Sequence, residues 1–160
     1  MANKTNITEK EIWKHLSEVY DPEVPVLTII DLGIVRDIQI VEDSVKVIIT
    51  PTYSGCPAMN IIEQDINSKL KEKGIGNFTI ETVLSPAWTT EWMSEEGKTK
   101  LKEYGIAPPN NGGSGSGKPK ECPNCGSAET MLKSEFGSTA CKALYVCESC
   151  KEPFDYFKCH

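Results

Sequence analysis

The residues with the most specific chemistry are Cys122-Pro-Asn-Cys125 and Cys147-Glu-Ser-Cys150, two C-x-x-C pairs separated by 21 residues. Each pair aims two sulfurs at one point, and two such pairs close a tetrahedron around a metal ion. Zinc is the first choice for that ligand set, and iron in a rubredoxin-like site is the second. A redox dithiol fits less well, because neither pair lies in a strand–helix–strand context. Cys141, Cys159 and His160 exceed the four ligands required. They are spare thiols, a second labile metal site, or a pair closing the tail. For Cys141 a packed or locally reactive thiol is favoured over a ligand.

A second centre is Cys56, within Thr50-Pro-Thr-Tyr-Ser-Gly-Cys-Pro-Ala-Met-Asn60. Val45–Thr50 has the alternation and β-branching of a strand. Met59, Ile62, Ile66 and Leu70 recur at helical spacing, with Gly74 as the stop. Cys56 therefore sits at a helix mouth, with Pro57 in the first turn, where a missing N–H costs nothing. A thiol there faces unpaired N–H groups and the positive end of the helix dipole, and both favour the thiolate. The competing reading is a free cysteine that only packs. Asp21-Pro-Glu-Val-Pro-Val26 poses the same choice. Asp21 and Glu23 are either an acid/base or metal-facing pair, or a capping Asp beside a solvated Glu; taken alone, the motif favours capping.

The elements that position these groups follow from periodicity and punctuation. Thr8 with Glu11 forms a capping box ahead of Ile12, Leu16 and Val19, and Asp21-Pro22 stops that helix. Ile34–Ile40 and Val45–Thr50 alternate around a Glu42-Asp43 turn and read as an antiparallel hairpin. The Cys56 loop and its helix come next, then a third strand at Asn77–Leu84. Trp88 and Trp92, in Ser85-Pro-Ala-Trp-Thr-Thr-Glu-Trp-Met93, either pack against the sheet edge or wall a pocket beside Cys56. Ser94 caps a helix that runs to Tyr104 and ends at Gly105. The fold class is α+β: an α-β-β-α-β layered domain, residues 1–107, then a Pro/Gly/Ser linker, 108–119. Residues 120–160 follow as a small all-β domain, with strands at Glu129–Phe136, Ala143–Val146 and Phe154–Lys158. That is a zinc-ribbon pattern, and so short a segment needs its metal in order to fold.

Composition narrows the partners. The 160 residues carry a net charge of −6, and the acid excess lies before the linker, so a nucleic-acid binder is not expected. No apolar run approaches the ~18–20 residues that span a bilayer, and no signal core opens the chain, so the expectation is a cytoplasmic protein off the membrane. Six of the seven cysteines fall after residue 121, in paired spacing that reads as metal binding in a reducing compartment.

Several stretches together resemble a known family. Asp21-Pro-Glu-Val-Pro, Asp31-Leu-Gly, the Thr50–Ala58 segment, Ser85–Met93, Tyr104-Gly-Ile-Ala-Pro-Pro, Phe136-Gly-Ser-Thr-Ala-Cys-Lys-Ala and Glu152-Pro-Phe-Asp-Tyr-Phe-Lys-Cys-His are similar to the phenylacetate-degradation D proteins, the PaaD family. The first half is also similar to the iron–sulfur assembly domain of SufT proteins. The resemblance implies an accessory role in phenylacetate catabolism, beside a di-iron oxygenase that epoxidises phenylacetyl-CoA and a reductase carrying a [2Fe–2S] cluster. On it, Cys56 is the reactive thiol, with Asp21, Glu23 and Thr52 lining its site, and Cys122, Cys125, Cys147 and Cys150 hold a structural zinc. The expected work is transient handling of iron or an iron–sulfur cluster for the reductase or oxygenase subunits. A structural subunit of the oxygenase is the alternative. A thiol-dependent enzyme ranks below both, since His15 and His160 are the only histidines and neither is placed as a base for Cys56. A homodimer is among the states the sequence allows.

Overall fold

The computed structural model describes residues 7–52, 57–109, 118–137 and 142–157. These divide after Trp88 into two units, each built on its own sheet.

In the first unit Thr8 and Glu11 form the expected capping box: Glu11 N–H donates to Thr8 Oγ1 at 3.3 Å, and Thr8 N–H to Glu11 Oε2 at 2.8 Å. They start α1 (Glu9–Leu16), which buries Ile12 and Leu16. The helix ends before the Asp21-Pro22 stop read from the sequence. Ser17 Oγ donates to the Lys14 carbonyl, and Glu18 and Val19 continue with tighter i→i−3 bonds to His15 and Leu16. Then β1 (Val35–Val41) and β2 (Ser44–Ile49) pair antiparallel through the Glu42-Asp43 turn. The helix α2 (Ala58–Glu72) carries the chain over to β3 (Phe78–Thr82), which lies parallel to β2. A parallel neighbour demands such a crossover, so β2 becomes the middle strand in the order β1-β2-β3. Its alternating Val45, Val47 and Ile49 are buried, as are Met59, Ile62, Ile66 and Leu70 of α2. Trp88 is buried too, and its indole N–H donates to the Leu32 carbonyl at 2.7 Å. That is packing with a satisfied polar tip.

The second unit begins with a short 3-10 turn, Thr90–Trp92, and α3 (Glu95–Tyr104). Ser94 caps α3 by accepting from Gly97 N–H at 2.9 Å, and Gly105, at φ 92°, ends it in the left-handed region. Next come β4 (Ile106–Ala107), β5 (Thr130–Ser134), β6 (Lys142–Cys147) and β7 (Pro153–Phe157). The sheet order is β4-β7-β6-β5. Tyr145 stacks on Phe154, ring centroids 6.0 Å apart, and meets Tyr156 edge-on at 5.6 Å. Ala107, Ala143 and Cys147 join them in one small core.

The expected break at residue 107 differs from this division. Ile106 and Ala107 pair with Asp155 and Tyr156 of β7, so α3 and β4 group with the cysteine-rich sheet. The two expected tryptophans fall on opposite sides of the division, Trp88 in the first unit and Trp92 in the second. Among the described residues no helix is long and apolar enough to cross a membrane.

Candidate metal centre and thiol site

The two knuckles are built alike. Cys122 begins a turn in which Gly126 N–H donates to the Cys122 carbonyl at 2.8 Å; Lys151 N–H donates to the Cys147 carbonyl at 3.0 Å in the same relative place. Both closing residues are left-handed, Gly126 at φ 78° and Lys151 at φ 65°. Backbone N–H groups then point at sulfur: Asn124 at Cys122 Sγ and Cys150 at Cys147 Sγ, each at 3.4 Å. Ser127 and Ser149 hydroxyls, 2.8 Å apart, tie one knuckle to the other.

All four sulfurs lie within 4.8 Å of one another. Cys122 and Cys150 Sγ are 3.9 Å apart, and Cys125 and Cys147 Sγ 3.5 Å. A tetrahedron of about 2.3 Å metal–sulfur bonds has edges of about 3.8 Å, so the thiols are spaced for one four-coordinate ion. Their acidities are pulled apart. Cys147 is lowered to about 6, first by the Cys150 N–H, while Cys150 is pushed up to about 12. For Cys150 the Glu152 N–H favours the thiolate but is outweighed by burial and by the three neighbouring sulfurs. Four crowded sulfurs cannot all ionise without a cation among them, and a divalent ion supplies that charge. The donor set fits a metal: Cys122, Cys125, Cys147 and Cys150 would hold it, closed on four sides with no position left for a substrate.

The other candidate residues lie in the first unit. Asp21 is buried, and its Oδ1 accepts from Glu23 N–H at 2.7 Å and Val24 N–H at 2.8 Å, so the carboxylate ties the proline-rich loop. Glu23 and Thr52 are half-buried. Cys56 lies outside the described residues, as do Cys141, Cys159 and His160. Pro57 has helical angles and α2 follows from Ala58; among the described residues no side chain caps its N–H groups, and its first turn holds no acidic residue. Sequence reasoning passed over two features here. Thr28 and Asp31 bond reciprocally, Asp31 N–H to Thr28 Oγ1 at 3.0 Å and Thr28 N–H to Asp31 Oδ2 at 3.1 Å. The T-x-x-D spacing carried that signal. Thr50 Oγ1 is buried at the end of β2 with no hydrogen-bond partner among the described residues, an uncommon condition for a hydroxyl. Nothing in the local sequence announced it.

Residues 107–158 match the family described as the PaaD zinc beta ribbon domain, and residues 9–81 match the iron–sulfur cluster assembly protein family. Over 151 residues the chain is 50% identical to an Escherichia coli K12 protein, named there as the putative D component of 1,2-phenylacetyl-CoA epoxidase, covering 93% of this chain and 92% of that one. The chain belongs to the PaaD family. A PaaD chain thus joins an assembly-type unit to a four-cysteine ribbon, and the first half has relatives of its own. An Fe-S protein maturation auxiliary factor of Porphyromonas gingivalis is 36% identical over 103 residues, 63% of this chain and 97% of that protein. Two solved structures share the first unit's fold. A domain of unknown function from Bacillus anthracis has a TM-score of 0.55 at 29% identity, covering 58% of this chain and 90% of that one. A conserved hypothetical protein from Thermotoga maritima has 0.52 at 35%, covering 59% and 94%.

Proposed function

We propose that this PaaD protein is a maturation factor of a phenylacetyl-CoA ring-epoxidising system, assisting insertion of iron or an iron–sulfur cluster into its reductase or oxygenase. One observation carries the reading: a near full-length match to an epoxidase component in a chain whose first unit also matches an assembly family. In this reading the ribbon holds a structural zinc that supplies folding free energy to the second unit. Cys56, two residues before the start of α2, is the exchangeable ligand for the cargo. Transfer needs a ligand that binds and releases, and one thiolate at a helix start suits that better than a closed four-sulfur cage. Asp21, Glu23 and Thr52 are assigned to the surroundings of that thiol, Asp21 by holding the loop. The setting is a reducing cytoplasm, where cysteines stay available to metals.

The test is Cys56→Ser in cells grown on phenylacetate. The variant should keep its fold and ribbon metal, the epoxidase polypeptides should accumulate, and the purified reductase should be poor in iron and sulfide. Full cluster loading in the mutant would reject the maturation reading. The Escherichia coli relative is named as a component of the epoxidase itself, which favours a second reading, a structural member of the oxygenase. Stable stoichiometric co-purification with the oxygenase, together with a loaded reductase in the mutant, would support that instead.

A further inference from the structure

An edge strand with open backbone groups pairs with whatever strand reaches it unless something blunts it. Among the described residues, three of the four sheet edges are blunted. β1 breaks register between Val35 and Asp37, around Arg36. β5 breaks register between Leu132 and Ser134, around Lys133. β4 is two residues long and runs into Pro108-Pro109. β3 has no such device. Its register with β2 is unbroken from Phe78 to Thr82, it contains no Lys or Pro, and its one charge, Glu81, is paired with Lys46 at 2.5 Å. Alongside runs an open groove of about 460 Å³, lined by Asn60, Glu63, Gln64 and Asn67 of α2 with Phe78 and Ile80. Phe78 and Ile80 stay half-buried, although their neighbours in β2, Val45 and Val47, are buried. They lack the cover that a fourth strand would give.

Backbone direction fixes how such a strand would pair. Val45 N–H donates to the Asn77 carbonyl at 3.0 Å, and Val83 N–H to the Ile49 carbonyl at 2.9 Å. Residues alternate, so Thr79 and Glu81 also turn their backbone groups to β2, while Phe78, Ile80 and Thr82 turn theirs outward. We infer that a second copy of this chain docks on that edge, β3 against β3 antiparallel, with the two-fold axis at Ile80. In this register Phe78 exchanges both hydrogen bonds with Thr82 of the second copy, and Ile80 with its counterpart. Every outward group is then paired. On the opposite face Thr79 meets Glu81, so no like charges oppose one another. An axis at Thr79 or Glu81 would shorten the ladder, leaving Thr82 or Phe78 opposite a residue beyond the strand, and at Glu81 it would set the two carboxylates against each other. The result is one six-stranded sheet across the pair.

Thr79 gives the test, because it is exposed and its neighbour in β2 is Lys46. Thr79→Glu gains an attraction to Lys46 within one copy but sets the new carboxylate against Glu81 twice across the axis. Thr79→Lys does the reverse in both places. Sedimentation of the full chain over a concentration series should show a dimer whose dissociation constant rises about tenfold in Thr79→Glu and falls in Thr79→Lys. Thr79→Glu with Glu81→Lys should restore it. Thermal unfolding of dilute Thr79→Glu should show the fold intact, separating lost pairing from lost folding. A wild-type chain that stays monomeric throughout, or equal dissociation constants in the two single variants, would overturn the inference.

Discussion

Gly126 and Lys151 hold equivalent places in the two knuckles and equivalent left-handed backbone angles, yet only one is glycine. A side chain there costs about 1–2 kcal/mol, part of which glycine returns as unfolded-state entropy. Lys151→Gly should therefore stabilise the second unit by up to about 1 kcal/mol in denaturant titration with metal bound. A loss of stability would mean that the lysine side chain contributes more than its strain costs. The knuckles were legible in the sequence because sulfur spacing is itself the geometric requirement. Asp21 was legible only as a choice between two roles, and its two backbone bonds show the capping one at work. That the Thr50 hydroxyl finds no partner among the described residues depends on what surrounds it in space, which local sequence does not encode.

At the scale of elements, the capped helix starts at Thr8 and Ser94 were the most readable features, since a cap is a contact between residues two or three apart, whereas α1 stops short of Asp21-Pro22. Ser94→Ala removes the acceptor for Gly97 N–H and should cost about 1 kcal/mol. Because α3 groups with the ribbon, that loss should appear in the melting of the second unit and leave the first unchanged. The link between α1 and α2 is tied by charge: Glu18 lies 3.2 Å from Lys69 and 3.7 Å from Lys73. Lys69, then Lys73, lowers the Glu18 pKa from 4.5, and Glu18 raises that of Lys69 from 10.5. The Glu18 contribution is complete above 4.5 and fades as pH falls through its lowered value. The Lys69 contribution is complete below 10.5 and fades as pH rises through its raised one. Glu18→Gln should thus be less stable than wild type by a small, salt-sensitive and constant amount between those limits, and the two should converge beyond either. A gap that persists in acid would mean that packing of the side chain, not its charge, was lost. Unlike the caps, β4 left no trace in the sequence: two residues carry no period, and their pairing partners lie far along the chain, at Asp155 and Tyr156.

For the molecule as a whole, the division after Trp88 changes what metal removal should do. A strong chelator should release amide protection through β5, β6 and β7, and also through α3 and β4, while α1, α2 and the β1-β2-β3 sheet keep theirs. Hydrogen exchange with and without metal checks this, and a protected Leu101 after chelation would return α3 to the first unit. The same division bears on synthesis. Ile106 and Ala107 emerge from the ribosome well before Asp155 and Tyr156, the residues they must pair with. At about 5–20 residues per second, β4 waits roughly 2–10 s for its neighbour. Cys122 and Cys125 are meanwhile translated ahead of Cys147 and Cys150, so any ion that arrives early meets two sulfurs instead of four. The assembly-type unit completes its own pairing earlier, once Phe78–Thr82 and Trp88 have been translated. It is ready while its ribbon is still a nascent tail, and the order of translation makes the metal the last part to be fitted.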